Sequence, residues 1–119
     1  MDTLIAFKAQ DGKAPPMEAW PEFDSIVSGK PKQSAYTAYT SPDGGFTTGI
    51  WSCTPGKFHV TYTGSETIFI LSGRVTITKD GEAPRTFGPN DVIVVPVGWA
   101  GTWEVLEPLR KIFAIGTPR

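Results

Sequence analysis

Residues 66–87 read ETIFILSGRVTITKDGEAPRTF. Two runs rich in β-branched and aromatic residues, Glu66–Ser72 and Arg74–Lys79, flank Gly73, and Asp80-Gly81 separates the second from Arg85–Phe87. Alternating apolar residues predict strands, and Asp-Gly between two such runs predicts a hairpin, because both residues tolerate positive φ. The same texture continues outward. Phe46–Cys53 and Phe58–Thr63 precede this stretch, and Asp91–Pro96, Gly101–Leu106 and Leu109–Ile115 follow it. Turn chemistry marks the joints. Gly88-Pro89-Asn90-Asp91 combines a fixed proline φ with an Asx-type acceptor, and Pro96-Val97-Gly98 stops the run Val92–Val95. Strand follows strand with no helical period between them, which predicts an all-β antiparallel sandwich or barrel.

The 119 residues amount to one domain. Residues 46–119 read as the barrel. Residues 1–45 read as an irregular N-terminal arm of the same domain, broken by Pro15, Pro16, Pro21, Pro31 and Pro42, with only Leu4–Phe7 and Ser34–Tyr39 able to pair as short strands. Thirteen Gly and eleven Pro suit short strands and turns rather than a helix bundle. A net charge of −1 offers no electrostatic reason to expect nucleic acid or an anionic membrane as partner. No apolar run approaches the roughly 20 residues of a membrane span, and the N-terminal stretch lacks the pattern of a signal peptide, so a cytoplasmic location is expected. One cysteine, Cys53, excludes an internal disulfide and a Cys-based zinc site. One histidine, His59, excludes any mechanism that draws two imidazoles from one chain. Ile68–Leu71 and Val92–Val95 are apolar on both alternating faces, so both faces should be covered, the outer one by the arm or by a second copy in a homodimer.

Pro55-Gly56-Lys57-Phe58, Tyr62, Glu66, Leu71 and Gly73 form one block, and Gly88, Asp91, Val94, Pro96, Gly98, Gly101–Val105 and Arg110-Lys111 a second. In these blocks the chain resembles the cupin superfamily, and more narrowly the small family related to the cupin domain of (S)-ureidoglycine aminohydrolase. The resemblance implies a small jelly-roll β-barrel, RmlC-like and commonly dimeric, with a pocket at one end. It also implies a metal cluster of three His and one Glu that this chain does not reproduce. Counting back from Glu66 places the usual His pair at Val60 and Tyr62, or at His59 and Thr61, and the second motif's His at Gly101. Glu66 and His59 are the only weak metal candidates, and one imidazole with one carboxylate holds a divalent ion poorly. No firmly bound cofactor is expected.

Glu66 opens an apolar strand, and the resemblance points it into the barrel. It is the candidate catalytic or ligand-binding carboxylate, with a pairing to Lys or Arg near the rim as the plainer alternative. Tyr62 has the opposite parity to His59 and is expected inward, His59 outward. Trp51 and Trp103 are expected inward as packing or pocket wall, and Trp99 at the barrel mouth as a stacking or lid residue. Cys53 reads as a small buried thiol. At most one of Arg110 and Lys111 points inward; Lys111 could neutralise Glu66, although a charge at the wet rim is the default. The expected function is binding of a small polar metabolite in a metal-free pocket walled by Trp51, Tyr62, Glu66, Trp99 and Trp103. The alternatives are a metal-assisted hydrolase or isomerase of the ureidoglycine aminohydrolase type and an interaction module with a filled barrel; whether the protein is an enzyme stays open.

Overall fold

The structure, a computed structural model, describes residues 3–10 and 14–118. Among these it holds nine strands: β1 Glu18–Ala19, β2 Ile26–Gly29, β3 Gln33–Thr40, β4 Phe46–Cys53, β5 Gly56–Thr61, β6 Ser65–Lys79, β7 Arg85–Phe87, β8 Val92–Val95 and β9 Ala100–Gly116. All pairings are antiparallel, and together they form one curled sheet. No helix among the described residues is long and apolar enough to cross a membrane.

The curl comes from the two longest strands. Glu66–Ser72 and Arg74–Lys79, expected as separate strands, are halves of β6, and Gly101–Leu106 and Leu109–Ile115 are halves of β9. Each long strand bends at a break in register. In β6 the break spans Ile70 to Val75, around Gly73 with φ 92°, and a Cβ there would lie 2.2 Å from the Pro108 carbonyl oxygen of β9. Only glycine allows that approach. The early half of β9 lies between β5 and the late half of β6, with β2 and β7 outermost. The late half of β9 lies between β4 and the early half of β6, with β3, β1 and β8 beyond. The two half-sheets face one another, as the contact of Trp51 on β4 with Trp103 on β9 shows (centroids 6.0 Å apart). This is the jelly-roll cupin fold that the family resemblance implies.

Period two sorts the side chains. Ile68, Ile70, Val75, Ile77, Val95, Trp103, Val105, Leu109 and Phe113 point inward and form the core with Phe58, Trp51 and Cys53. On the outer face Tyr36, Ile50, Ile112, Phe69 and Val92 form one row across β3, β4, β9, β6 and β8. The arm reaches this face where Phe7 meets Tyr36 edge-on at 5.3 Å, while Val92 and Val94 stay exposed. The first 45 residues therefore contribute more than the sequence suggests. β3 is a full eight-residue strand of the sheet, and Leu4–Phe7 forms no strand. The Lys79–Glu82 turn closes with Glu82 N–H donating to the Lys79 carbonyl at 2.9 Å. Only Gly81 of its central pair takes positive φ, at 81°, so the connection differs from the expected two-residue hairpin.

Candidate functional site

The inner face of the roll encloses a cavity of about 190 Å³. Its walls are mainly aromatic: Trp51 from β4, Phe58 from β5, Trp103 and Phe113 from β9, and Trp20 and Phe23 from the arm. Phe23 stacks on Phe58 at 3.9 Å and Trp20 meets Phe113 edge-on at 6.4 Å. Gln33 ties this arm segment down. Its backbone carbonyl accepts from Trp20 N–H at 3.0 Å, and its side chain donates to the Pro21 carbonyl at 2.9 Å. Its Oε1 also accepts from the Trp51 indole at 2.9 Å.

Three polar side chains meet inside these walls. Glu66 is 4% exposed at the start of β6, where register with Ile115 and Val95 points it inward. One carboxylate oxygen accepts from the Tyr62 hydroxyl at 2.7 Å, and the other from the Lys111 ammonium at 2.8 Å. Lys111 is 5% exposed on β9. Its Nζ also lies 4.5 Å from the ring centroids of both Trp51 and Trp103, so two indole faces flank the cation. The rim position in water expected for Lys111 is therefore corrected. Parity allowed it to point inward, and its long apolar stem lets it do so within the core while the head finds a carboxylate.

Tyr62 lies just beyond β5 and is pinned by its backbone. Its N–H donates to the Trp99 carbonyl, and its carbonyl accepts from Gly98 N–H, both at 2.8 Å. Burial, then the charge of Glu66, then the hydrogen bond to it push the phenol well above its usual range. The hydroxyl stays a donor to Glu66 and keeps acceptor capacity for a second partner. The Trp103 indole Nε1 is buried with no partner among the described residues. Such a donor calls for an explanation, because burying one unpaired costs about 1–3 kcal/mol.

Of the expected wall residues, the structure brings Trp51, Tyr62, Glu66 and Trp103 together around the cavity. Trp99 lies outside the lining and packs edge-on against Tyr62 at 5.8 Å. Its ring covers Gly101. A Cβ there would stand 2.6 Å from that ring and 2.2 Å from the Thr78 carbonyl oxygen, so this position has no room for a histidine. His59 and Glu66 are not brought together either. His59 occupies the face of β5 opposite Phe58 and Val60, half exposed, with Nε2 3.0 Å from the Asp80 carboxylate. The described residues contain no group of three His, Cys, Asp or Glu able to hold a metal, and both oxygens of Glu66 already have partners. The donor set does not fit a cupin metal centre. Cys53 is buried, donates to the Thr54 carbonyl at 3.3 Å, and is pushed up to about 12 by burial against the pull of Lys111. Sequence reasoning missed Trp20, Phe23, Phe58 and Phe113 as walls. For the arm, Trp20 and Phe23 on either side of Pro21 were the available signal.

A family model described as the EutQ-like cupin domain matches residues 40–113. A protein of unknown function of the DUF861 family from Pseudomonas syringae pv. tomato is similar in fold at 18% identity and TM-score 0.77. The match covers 85% of this chain, which spans 44% of that one. The EutQ protein of Clostridium difficile is similar at 16% identity and TM-score 0.67, over 81% of this chain and 75% of that one. A DUF861 protein from Thermotoga maritima reaches 33% identity and TM-score 0.53, over 54% of this chain and 73% of that one. No curated protein matches the chain.

Proposed function

The chain belongs to the EutQ-like cupin family, and from that premise we propose that it binds a small, flat, polar metabolite in the aromatic cavity without a metal ion. The observation that carries this reading is the buried array of Tyr62, Glu66 and Lys111, which opens on walls of indole and phenyl. Lys111 and Glu66 cancel in charge, so the cavity favours a ligand without net charge. Apolar walls with a few convergent polar groups are the usual make-up of a small-molecule site. A donor on the ligand finds the free lone pair of the Tyr62 oxygen. Glu66 is the group through which any proton transfer would run, because it alone touches both other polar members. The rival reading, metal-assisted hydrolysis of the ureidoglycine aminohydrolase type through His59 and Glu66, lacks support from the positions of those residues.

The test is a thermal-shift panel of ureides, amino acids, sugars and small carboxylates, followed by calorimetry. A ligand at a hundredfold excess over its Kd raises stability by about 2.7 kcal/mol. Tyr62→Phe and Trp103→Phe should each weaken a true pocket ligand. No stabilising compound across the panel would favour the alternative of a filled barrel. A homodimer is part of the same proposal. Its support is the outer apolar row ending at exposed Val92, with Val94 beside it, and Val94→Lys should then shift a dimer to monomer in analytical ultracentrifugation.

A further inference from the structure

A second depression lies on the outer face, independent of the aromatic cavity. Ser34, Ser52, Arg110 and Ser72 are cross-strand partners in one row over β3, β4, β9 and β6. With Lys32 and Thr54 they line a hollow of about 260 Å³. Its side chains supply two cations and four hydroxyls, and none of the lining residues is a carboxylate.

Arg110 is the unusual member. It is half-buried, its Nε is fully buried without a hydrogen-bond partner, and no carboxylate among the described residues forms an ion pair with it. A guanidinium presents five donors in a rigid fork and stays charged at any working pH, so burial without an acceptor is unfavourable. Around it, the hydroxyls of Ser34, Ser52 and Ser72 have no hydrogen-bond partner among the described residues. Thr54 accepts from the Lys32 backbone N–H at 2.8 Å, which leaves its own proton free to donate. Among the described residues the Lys32 ammonium pairs only with exposed Glu22, at 3.9 Å, a screened contact that an anion can displace.

We propose that this hollow binds a tetrahedral oxyanion: inorganic phosphate or the phosphate group of a small monoester. Arg110 stands between Ser52 and Ser72 at neighbouring-strand spacing, about 4.8 Å on either side, so its fork and two flanking hydroxyls offer more donors than the two coplanar oxygens of a carboxylate engage. A phosphate has oxygens enough, and its charge balances Arg110 and Lys32.

The experiment is isothermal titration calorimetry of the full chain at fixed ionic strength set with chloride, so that screening is constant. Inorganic phosphate and glycerol phosphate are titrated separately. Both bind the parent protein, and a tighter monoester marks the ester as the occupant whereas equal affinities mark the phosphate group alone. Arg110→Gln weakens phosphate by about tenfold or more. Ser52→Ala, at a hydroxyl with no hydrogen bond among the described residues, weakens it by a smaller factor, and Asp80→Asn, outside the hollow, leaves it unchanged. No phosphate binding at millimolar concentration by folded protein, or an Arg110→Gln variant that binds as the parent does, would overturn the proposal.

Discussion

Arg110 and Lys111 are adjacent residues of β9 with the same charge, yet they live in opposite circumstances. Lys111 points into the roll, where a carboxylate at 2.8 Å and two indole faces receive it. Arg110 points out of the roll, with its Nε buried and nothing among the described residues to accept from it. Strand alternation alone separates them. A buried charge has to find its counter-charge inside the chain or take it from solution; Lys111 does the first, and the second is what we propose for Arg110.

Removing the internal cation is expected to have the largest effect. Lys111→Met leaves the Glu66 carboxylate buried without its counter-charge, and denaturant unfolding should show a loss of about 3–5 kcal/mol. Adding Glu66→Leu should recover most of that loss, since the double variant buries no charge. A double variant as unstable as the single would break the contrast with Arg110. Tyr62→Phe is next. It removes a 2.7 Å hydrogen bond to a charged acceptor and should cost about 1.5–3 kcal/mol in the same assay.

Alkaline pH probes the same interior. Cys53 rises from 9.0 to about 12, and the Tyr62 phenol lies above its ordinary 10.0. Both groups stay neutral in the fold while the unfolded chain ionises. Their contribution is therefore complete below pH 9 and is lost as pH climbs through 9 toward 12. Urea midpoints measured between pH 8 and 11 should fall with pH, and Cys53→Ala should flatten that fall. Alkylation of Cys53 should be slow at pH 8 in folded protein and fast after unfolding.

The outer cation should behave differently from the inner one. Without phosphate, Arg110→Met should change stability by about 1 kcal/mol or less, because it removes an unsatisfied donor along with the charge. A loss as large as that of Lys111→Met would mean that Arg110 has an internal partner. The smallest effect belongs to the exposed pair of His59 and Asp80, where Asp80→Asn should cost about 0.5 kcal/mol or less.

Much of this was legible in the sequence. Alternation and turn residues located the strands from Phe46 onward and put Tyr62 and His59 on opposite faces, and the family resemblance pointed Glu66 inward; the structure shows these placements. Local pattern could not show that β6 and β9 run through their bends, because a register break is settled by the partner strand. Nor could it place the Lys111 head. Parity says which face a side chain leaves from, and only the fold says that Glu66 waits forty-five residues away in the chain. The arm hid its role for the same reason. Trp20 and Phe23 sit among prolines with no strand period, and their partners Phe113 and Phe58 come from distant strands. Trp99 was placed at the mouth by its loop, but Gly101 opened a space behind Tyr62 that its ring fills.

The central claim is that the cavity's cation is the ammonium of Lys111. Elemental analysis of protein purified without chelator tests it most directly. The expected result is sub-stoichiometric transition metal, the same in the parent and in Glu66→Ala. Near-stoichiometric Mn, Fe, Ni or Zn that disappears in Glu66→Ala would contradict it.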